Sequence, residues 1–251
     1  MSSLKAYASR QRAALAGLAV LASTLGAAVP AGAAPAAGKV AADAGATQAK
    51  PGVTGFRSAR FGMDEKAVRA AIRSDFGVDD KAITKTANPT ERTEVLSVKV
   101  NDVLKDGGTA LVSYVLGYQS KALSQVSVLW APETDAGIGP EKLIADAKIL
   151  QNYFLGQGFA SGSVLVNAAV PEGVVMFRGT DEEGRMALLL MLASATKPAV
   201  ADKAAASAAT NEAAVPQPDA EQTVLAPVGL LLSYLADPQD PDIFKVEPGQ
   251  F

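Results

Sequence analysis

Ala110-Leu-Val-Ser-Tyr-Val-Leu-Gly-Tyr118, Gln119-Ser-Lys121 and Leu123-Ser-Gln-Val-Ser-Val-Leu-Trp130 decide the fold. Two runs that alternate with period two meet across a short polar turn. Val112, Tyr114, Leu116 and Tyr118 fall on one face of the first run. Val126, Val128 and Trp130 share a face of the second, with Gln125 and Ser127 on the other. Upstream, Leu96, Val98 and Val100 alternate with Ser97 and Lys99, and Asp106-Gly107-Gly108 supplies a turn. Such runs joined by short turns predict an antiparallel meander with one buried face.

Working outward, the meander is preceded by Arg60-Phe-Gly-Met-Asp-Glu-Lys-Ala-Val-Arg-Ala-Ala-Ile-Arg-Ser-Asp-Phe76. Asp64 is an N-cap whose carboxylate can accept first-turn amide hydrogens, and Met63 and Val68 stand at staple positions. Val68, Ile72 and Phe76 recur at i+4 as an apolar stripe, and Gly77 stops the helix. A second helix opens at Gly139-Pro140, where a missing N–H costs nothing. Leu143, Ala147, Leu150 and Phe154 form its stripe, and Gly156 and Gly158 end it. Strands are expected at 162–166, 173–178 and 185–192, with Thr180-Asp-Glu-Glu-Gly184 as a hairpin turn. Val175 and Phe177 are placed to pair with the Leu188–Leu190 region.

The order helix, three strands, helix, three or four strands suggests a tandem helix-plus-three-strand repeat, with halves at 55–132 and 138–193. The two halves share little sequence identity. The fold class that follows is α+β: antiparallel meander sheets covered by two helices. Residues 194–222 are rich in Ala and Pro and read as a disordered insertion. Val228-Gly-Leu-Leu-Leu-Ser-Tyr-Leu235 reads as a final strand, so 223–251 is a strand and tail packing on the domain.

Phe61-Gly-Met-Asp-Glu-Lys-Ala-Val68, a Gly-Met-capped helix leading into a meander, resembles the opening of envelope proteins of the SmpA/OmlA type. It is also similar to the related β-lactamase-inhibitor-protein fold. The resemblance implies a small α+β module that binds other proteins and is not an enzyme. It is confined to that stretch and the order of elements after it. SmpA/OmlA proteins are lipoproteins, whereas this chain contains no cysteine to acylate. The chain is similar as well to a family of exported bacterial proteins without assigned activity.

The N-terminus reads as an export signal. Lys5, Arg10 and Arg12 precede the apolar run from Ala13 to Val29, and Ala31-Gly32-Ala33 matches a signal-peptidase site. Residues 1–33 are therefore expected to be removed, 34–54 to form a disordered mature N-terminus, and the protein to be periplasmic or secreted. No transmembrane segment and no lipid anchor are expected after cleavage. The 23 basic residues include three in the leader, which leaves 20 against 26 acids. That balance argues against nucleic acid, which requires a basic face.

The chain has neither Cys nor His. Disulfide stapling, Ser-His-Asp and Cys-His nucleophiles, and the usual zinc sites are therefore excluded. No cofactor motif is present. Tyr114, Tyr118 and Trp130 are the binding candidates, since aromatics on an open sheet face supply contact energy; if helices cover that face, they are core. Asp237, Asp240 and Asp242 are weak metal candidates, because their spacing does not match a calcium loop. Asp181, Glu182 and Glu183 crowd one turn and read first as a solvated tip. Arg57, Arg60 and Arg69 are a cationic group near Asp64 and Glu65. The expected function is a non-catalytic binding or adaptor module acting on another envelope protein or a small ligand. The alternatives are a carboxylate-dependent glycan hydrolase or a purely structural envelope protein.

Overall fold

A computed structural model of the chain describes residues 52–196, 224–246 and 249. The 1–33 leader, nearly all of the 34–54 stretch and most of the 194–222 insertion lie outside the described residues.

A two-residue hairpin comes first, β1 (Gly55–Phe56) with β2 (Ala59–Arg60). Helix α1 follows over Glu65–Phe76. Asp64 caps it as its sequence position predicts: its Oδ1 accepts the Ala67 amide at 2.8 Å. Gly77 ends it in the left-handed region, at φ 63°, and donates back to the Arg73 carbonyl. Val68 and Ile72 are fully buried, each stabilising the fold by about 1.5–3 kcal/mol. Beyond a short turn lie strands β3 (Thr84–Ala87), β4 (Glu94–Asn101), β5 (Thr109–Leu116) and β6 (Leu123–Trp130). Helix α2 (Pro140–Leu155) precedes β7 (Ala168–Val170), β8 (Gly173–Thr180) and β9 (Met186–Thr196), and β10 (Val224–Leu235) closes the order.

The protein is α+β, with one eight-stranded antiparallel sheet in the order β3-β4-β5-β6-β10-β9-β8-β7. The two sets of strands are the two wings of this sheet. Strand β10 joins them, pairing Leu232 with Val128 on one side and with Leu189 on the other. Both helices pack on one face, where Val98, Tyr114, Val126, Val128, Trp130, Leu189, Leu230 and Phe177 form the main core with Val68, Ile72, Leu143 and Phe154.

The sequence predicts one buried face, and here the structure corrects it. The alternate residues Leu129, Leu188, Leu190 and Leu231 make a second buried cluster containing no helix residue. Ser97, Ser113, Ser127 and Ser233 are also buried. They stand opposite one another on four consecutive strands, Ser97 beside Ser113, Ser113 beside Ser127 and Ser127 beside Ser233. Their hydroxyls pair at 3.1 Å between Ser97 and Ser113 and at 3.2 Å between Ser127 and Ser233. Gln125 Nε2 donates to the Ser127 hydroxyl at 3.0 Å. A polar residue whose partner sits in the adjacent strand can be buried without an orphaned hydrogen bond.

Two further differences concern strands. The 162–166 stretch is not a regular strand. Ser163 turns its amide and its hydroxyl onto the Ala160 carbonyl, at 2.8 and 2.9 Å, which closes a tight turn. Only Leu165 bridges to Arg178, and β7 begins later. Strand β3 was not foreseen, because all four of its residues are exposed and carry no alternation. Among the described residues no helix is long and apolar enough to cross a membrane.

Candidate functional site

The aromatic candidates separate by depth. Tyr114 and Trp130 are 0% and 1% exposed, so they belong to the core under the helices and offer no open aromatic face. Burial raises the Tyr114 hydroxyl well above the ordinary tyrosine value, with the Asp75 carboxylate adding to the rise and the Arg57 cation opposing it. Tyr118, just past β5, is half-buried at the end of the sheet.

That end is built by chain topology. The β5 and β4 partners Leu116 and Glu94, and the β4 and β3 partners Glu94 and Ala87, put the β3–β4 loop beside the β5–β6 turn. Strand β10 ends at the same edge, where the Ala236 amide donates to the Ser124 carbonyl at 2.9 Å. The following residues, 237–246, form a strap that crosses both loops. Asp242 Oδ1 accepts the Gln119 amide at 2.8 Å and Oδ2 accepts the Ser120 amide at 2.9 Å. The Tyr118 amide donates to the Asp242 carbonyl, and the Phe244 amide to the Glu91 carbonyl, both at 2.9 Å. Tyr118 and Phe244 meet edge to face, with ring centroids 5.5 Å apart. Gly117 is required here, since a Cβ would run into the Asp242 carboxylate.

The strap and the β5–β6 turn enclose a depression of about 730 Å³ whose lining includes Tyr118, Gln119, Ser120, Ile243 and Phe244. The structure thus brings Tyr118 together with Asp240 and Asp242, from two separate groups of sequence candidates. Asp237 is not part of the lining; its Oδ1 accepts the Gln239 and Asp240 amides at 3.0 and 2.9 Å. Asp240 pairs with Lys245. Among the described residues no group of acids is arranged to hold a metal ion.

Other acids follow the same pattern. Asp181 Oδ1 accepts the amides of Glu183 and Arg185 at 3.0 and 2.8 Å, and its Oδ2 the Val53 amide at 2.9 Å. Asp135 accepts the Thr109 and Gly137 amides at 2.9 and 3.0 Å, which hold its carboxyl below the usual carboxylate range. For Asp242 burial pushes upward, but the Ser120 hydroxyl, the Gln119 and Ser120 amides and the nearby Lys121 cation outweigh it and keep the carboxyl low. The buried Asp146 has Lys142 Nζ 3.3 Å from each oxygen; the amine donates to Oδ1, while Oδ2 sits at ion-pair distance without an aligned hydrogen bond.

The cationic group does not converge. Arg69 pairs with Glu65 and Asp80, and Arg60 donates to the Arg57 carbonyl. Arg57 donates to the Asp75 and Val103 carbonyls at 3.2 and 3.3 Å. Its backbone belongs to a pattern that sequence reasoning missed. Six described non-glycine residues have left-handed backbone: Arg57, Arg92, Asp102, Asp106, Lys121 and Asn167. Asp and Asn tolerate that region, but Arg and Lys do not, at about 1–2 kcal/mol each. All three cations lie over aromatic rings: Arg57 over Phe76 at 4.7 Å, Arg92 over Phe244 at 3.5 Å, and Lys121 over Tyr118 at 5.3 Å. An exposed cation–π contact supplies about 0.5–1 kcal/mol, less than the backbone cost. Arg57 adds two hydrogen bonds to the balance. Arg92 and Lys121, both exposed at the strap end, make no side-chain hydrogen bond or ion pair among the described residues. No signal in the sequence marks these two positions, since neither Gly nor Asn announces the turn.

No family model, no curated protein and no solved structure matches this chain.

Proposed function

We propose that the chain is an exported, non-catalytic binding module of the bacterial envelope, acting on another envelope protein or a small ligand. The use of its acids supports this reading most directly. Asp135, Asp181, Asp237 and Asp242, all on loops, point their oxygens at backbone amides. A carboxylate held that way is turned toward the chain, which suits fastening and not proton transfer. A carboxylate-dependent glycan hydrolase instead needs two acids facing each other across a cleft, about 5–10 Å apart. The apolar leader supports export, and the absence of His and Cys fits a protein without a nucleophile pair.

The test has two parts. Fractionation of expressing cells should recover the protein outside the inner membrane, shortened by about the leader's length. The isolated protein should then retain a specific partner or ligand from an envelope extract and leave peptidoglycan and soluble glycans intact. Recovery of the uncleaved chain in the cytosol would end the export reading, and glycan turnover would end the non-catalytic one.

A further inference from the structure

The strap is fastened to the sheet end at a few points and takes no part in the core. Among the described residues, neither buried cluster contains a strap side chain. Its other acids are engaged within the strap itself: Asp237 accepts the Gln239 and Asp240 amides, and Asp240 pairs with Lys245. The seat beneath it is closed by bonds of its own. In the β5–β6 turn the Gly117 amide donates to the Ala122 carbonyl at 2.9 Å and the Ala122 amide to the Ser120 hydroxyl at 3.1 Å. In the β3–β4 loop the Asn88 amide donates to the Thr93 carbonyl, and Asn88 Oδ1 accepts the Thr90 and Glu91 amides. A seat built this way keeps its shape when the strap leaves. The depression of about 730 Å³ lies between strap and turn, so the strap does not fill the space it spans.

The seat reads a short sequence, Asp242-Ile-Phe244. The consecutive amides of Gln119 and Ser120 make a nest for one carboxylate, and Gly117 leaves room for it. Two residues on, the Phe244 ring meets Tyr118 edge to face and lies under Arg92. The Tyr118 amide and the Glu91 carbonyl hold the main chain at Asp242 and Phe244. Main-chain bonds to an extended segment, with contacts for alternate side chains, are a general mode of peptide recognition. We propose that this seat is a recognition site for an extended segment of a partner protein carrying an acid two residues before an aromatic ring, with the strap as its tethered competitor. This rests on the reading of the chain as a binding module and names the partner's chemistry. A tethered strap acts at an effective concentration on the order of millimolar. A partner segment displaces it by binding more tightly or by filling the depression that the strap leaves.

The experiment uses the full chain with Asp242→Ala and Phe244→Ala, which release the strap and leave the seat residues unchanged. The probe is a synthetic peptide of residues 239–246, read by the amide NMR shifts of Gln119 and Ser120. The peptide is expected to saturate these shifts in the variant and to bind the unsubstituted chain at least ten-fold more weakly. Peptides carrying Asp242→Asn or Phe244→Ala should each lose at least ten-fold, since one gives up charge-assisted bonds and the other the ring contact. Gly117→Ala added to the variant should abolish binding, because the methyl group takes the carboxylate's place. Equal binding of natural and substituted peptides, equal binding to both chains, or no saturation overturns the proposal. The variant should melt as cooperatively as the unsubstituted chain; loss of that transition makes the strap part of the fold and sinks the proposal as well. A partner captured from an envelope extract equally well with and without Gly117→Ala would leave the binding-module reading standing and remove this site alone.

Discussion

Trp130 is the chain's only tryptophan, and its indole N–H is buried without an acceptor among the described residues. Its emission should therefore be blue-shifted and poorly quenched by iodide, moving to longer wavelength on unfolding. Emission typical of water-exposed indole in the native protein would contradict the packing. Titration is also set residue by residue. Asp135 and Asp242 are held below the usual carboxylate range, as is Glu65 through the hydrogen bonds of Lys85 and Arg69. Carboxyls depressed in the folded state stabilise it fully above their unfolded values of about 4, and that stabilisation is lost as pH falls through the folded values. No histidine titrates in between, so denaturant stability should be flat from about pH 5.5 to 8 and fall below about pH 4. Burial raises Tyr114 and Tyr234, so a second decline should begin above about pH 10, where an unfolded tyrosine ionises. A slope centred near pH 6.5 in urea midpoints would be inconsistent with this set of groups.

At the scale of elements, the serine row tests whether the polar second face is held by its own pairs. Ser113→Ala strands the Ser97 hydroxyl and should cost about 1–3 kcal/mol, whereas Ser97→Ala with Ser113→Ala should be close to neutral. A double-mutant cycle read by urea midpoints measures the coupling, and strictly additive costs would argue against the pair. The strap is a second element-scale device. Gly117→Ala pushes a methyl group at the Asp242 carboxylate, with the nearest Cγ contact at 2.5 Å. The strap should then detach: amide exchange at Gln119, Ser120 and Phe244 should speed up while β5 and β6 stay protected. Unchanged exchange at those three amides would mean that the clasp tolerates the methyl group. The pairing of Ser97 with Ser113 was legible as two serines inside alternating runs, but its burial was not. A serine outside the apolar stripe reads as solvent-facing until its cross-strand partner is known.

The whole molecule depends on β10, which is last in sequence and central in the sheet. It lies between β6 and β9, and its Leu230 and Leu232 enter the core that the helices cover. A chain ending at residue 223 would leave the edges of both β6 and β9 unpaired and remove those leucines. It should fail to fold cooperatively, giving no sharp thermal transition by circular dichroism and exposing apolar surface to a dye. A truncated chain that melts sharply would show the two wings to be independent. The intact protein should melt in one transition, because the bridging strand couples the wings. The sequence separated these wings as a tandem order of elements but gave no sign that a strand beyond the insertion would join them.

Local patterns in the chain determined what depends on neighbours along it: the capped helix α1, the proline-led helix α2, the alternating runs of β4 to β6, and the exclusion of histidine and cysteine chemistry. Side-chain periodicity and capping act over a few residues, so they can be read without a fold. Tertiary structure alone decided where β10 inserts, which aromatics lie in the core, and that Asp242 reaches Gln119 across 123 positions of sequence. It also decided that Arg92 and Lys121 sit left-handed over the rings of Phe244 and Tyr118. Those features arise from loop tips and strand ends meeting at one edge of the sheet, a proximity that no local pattern encodes.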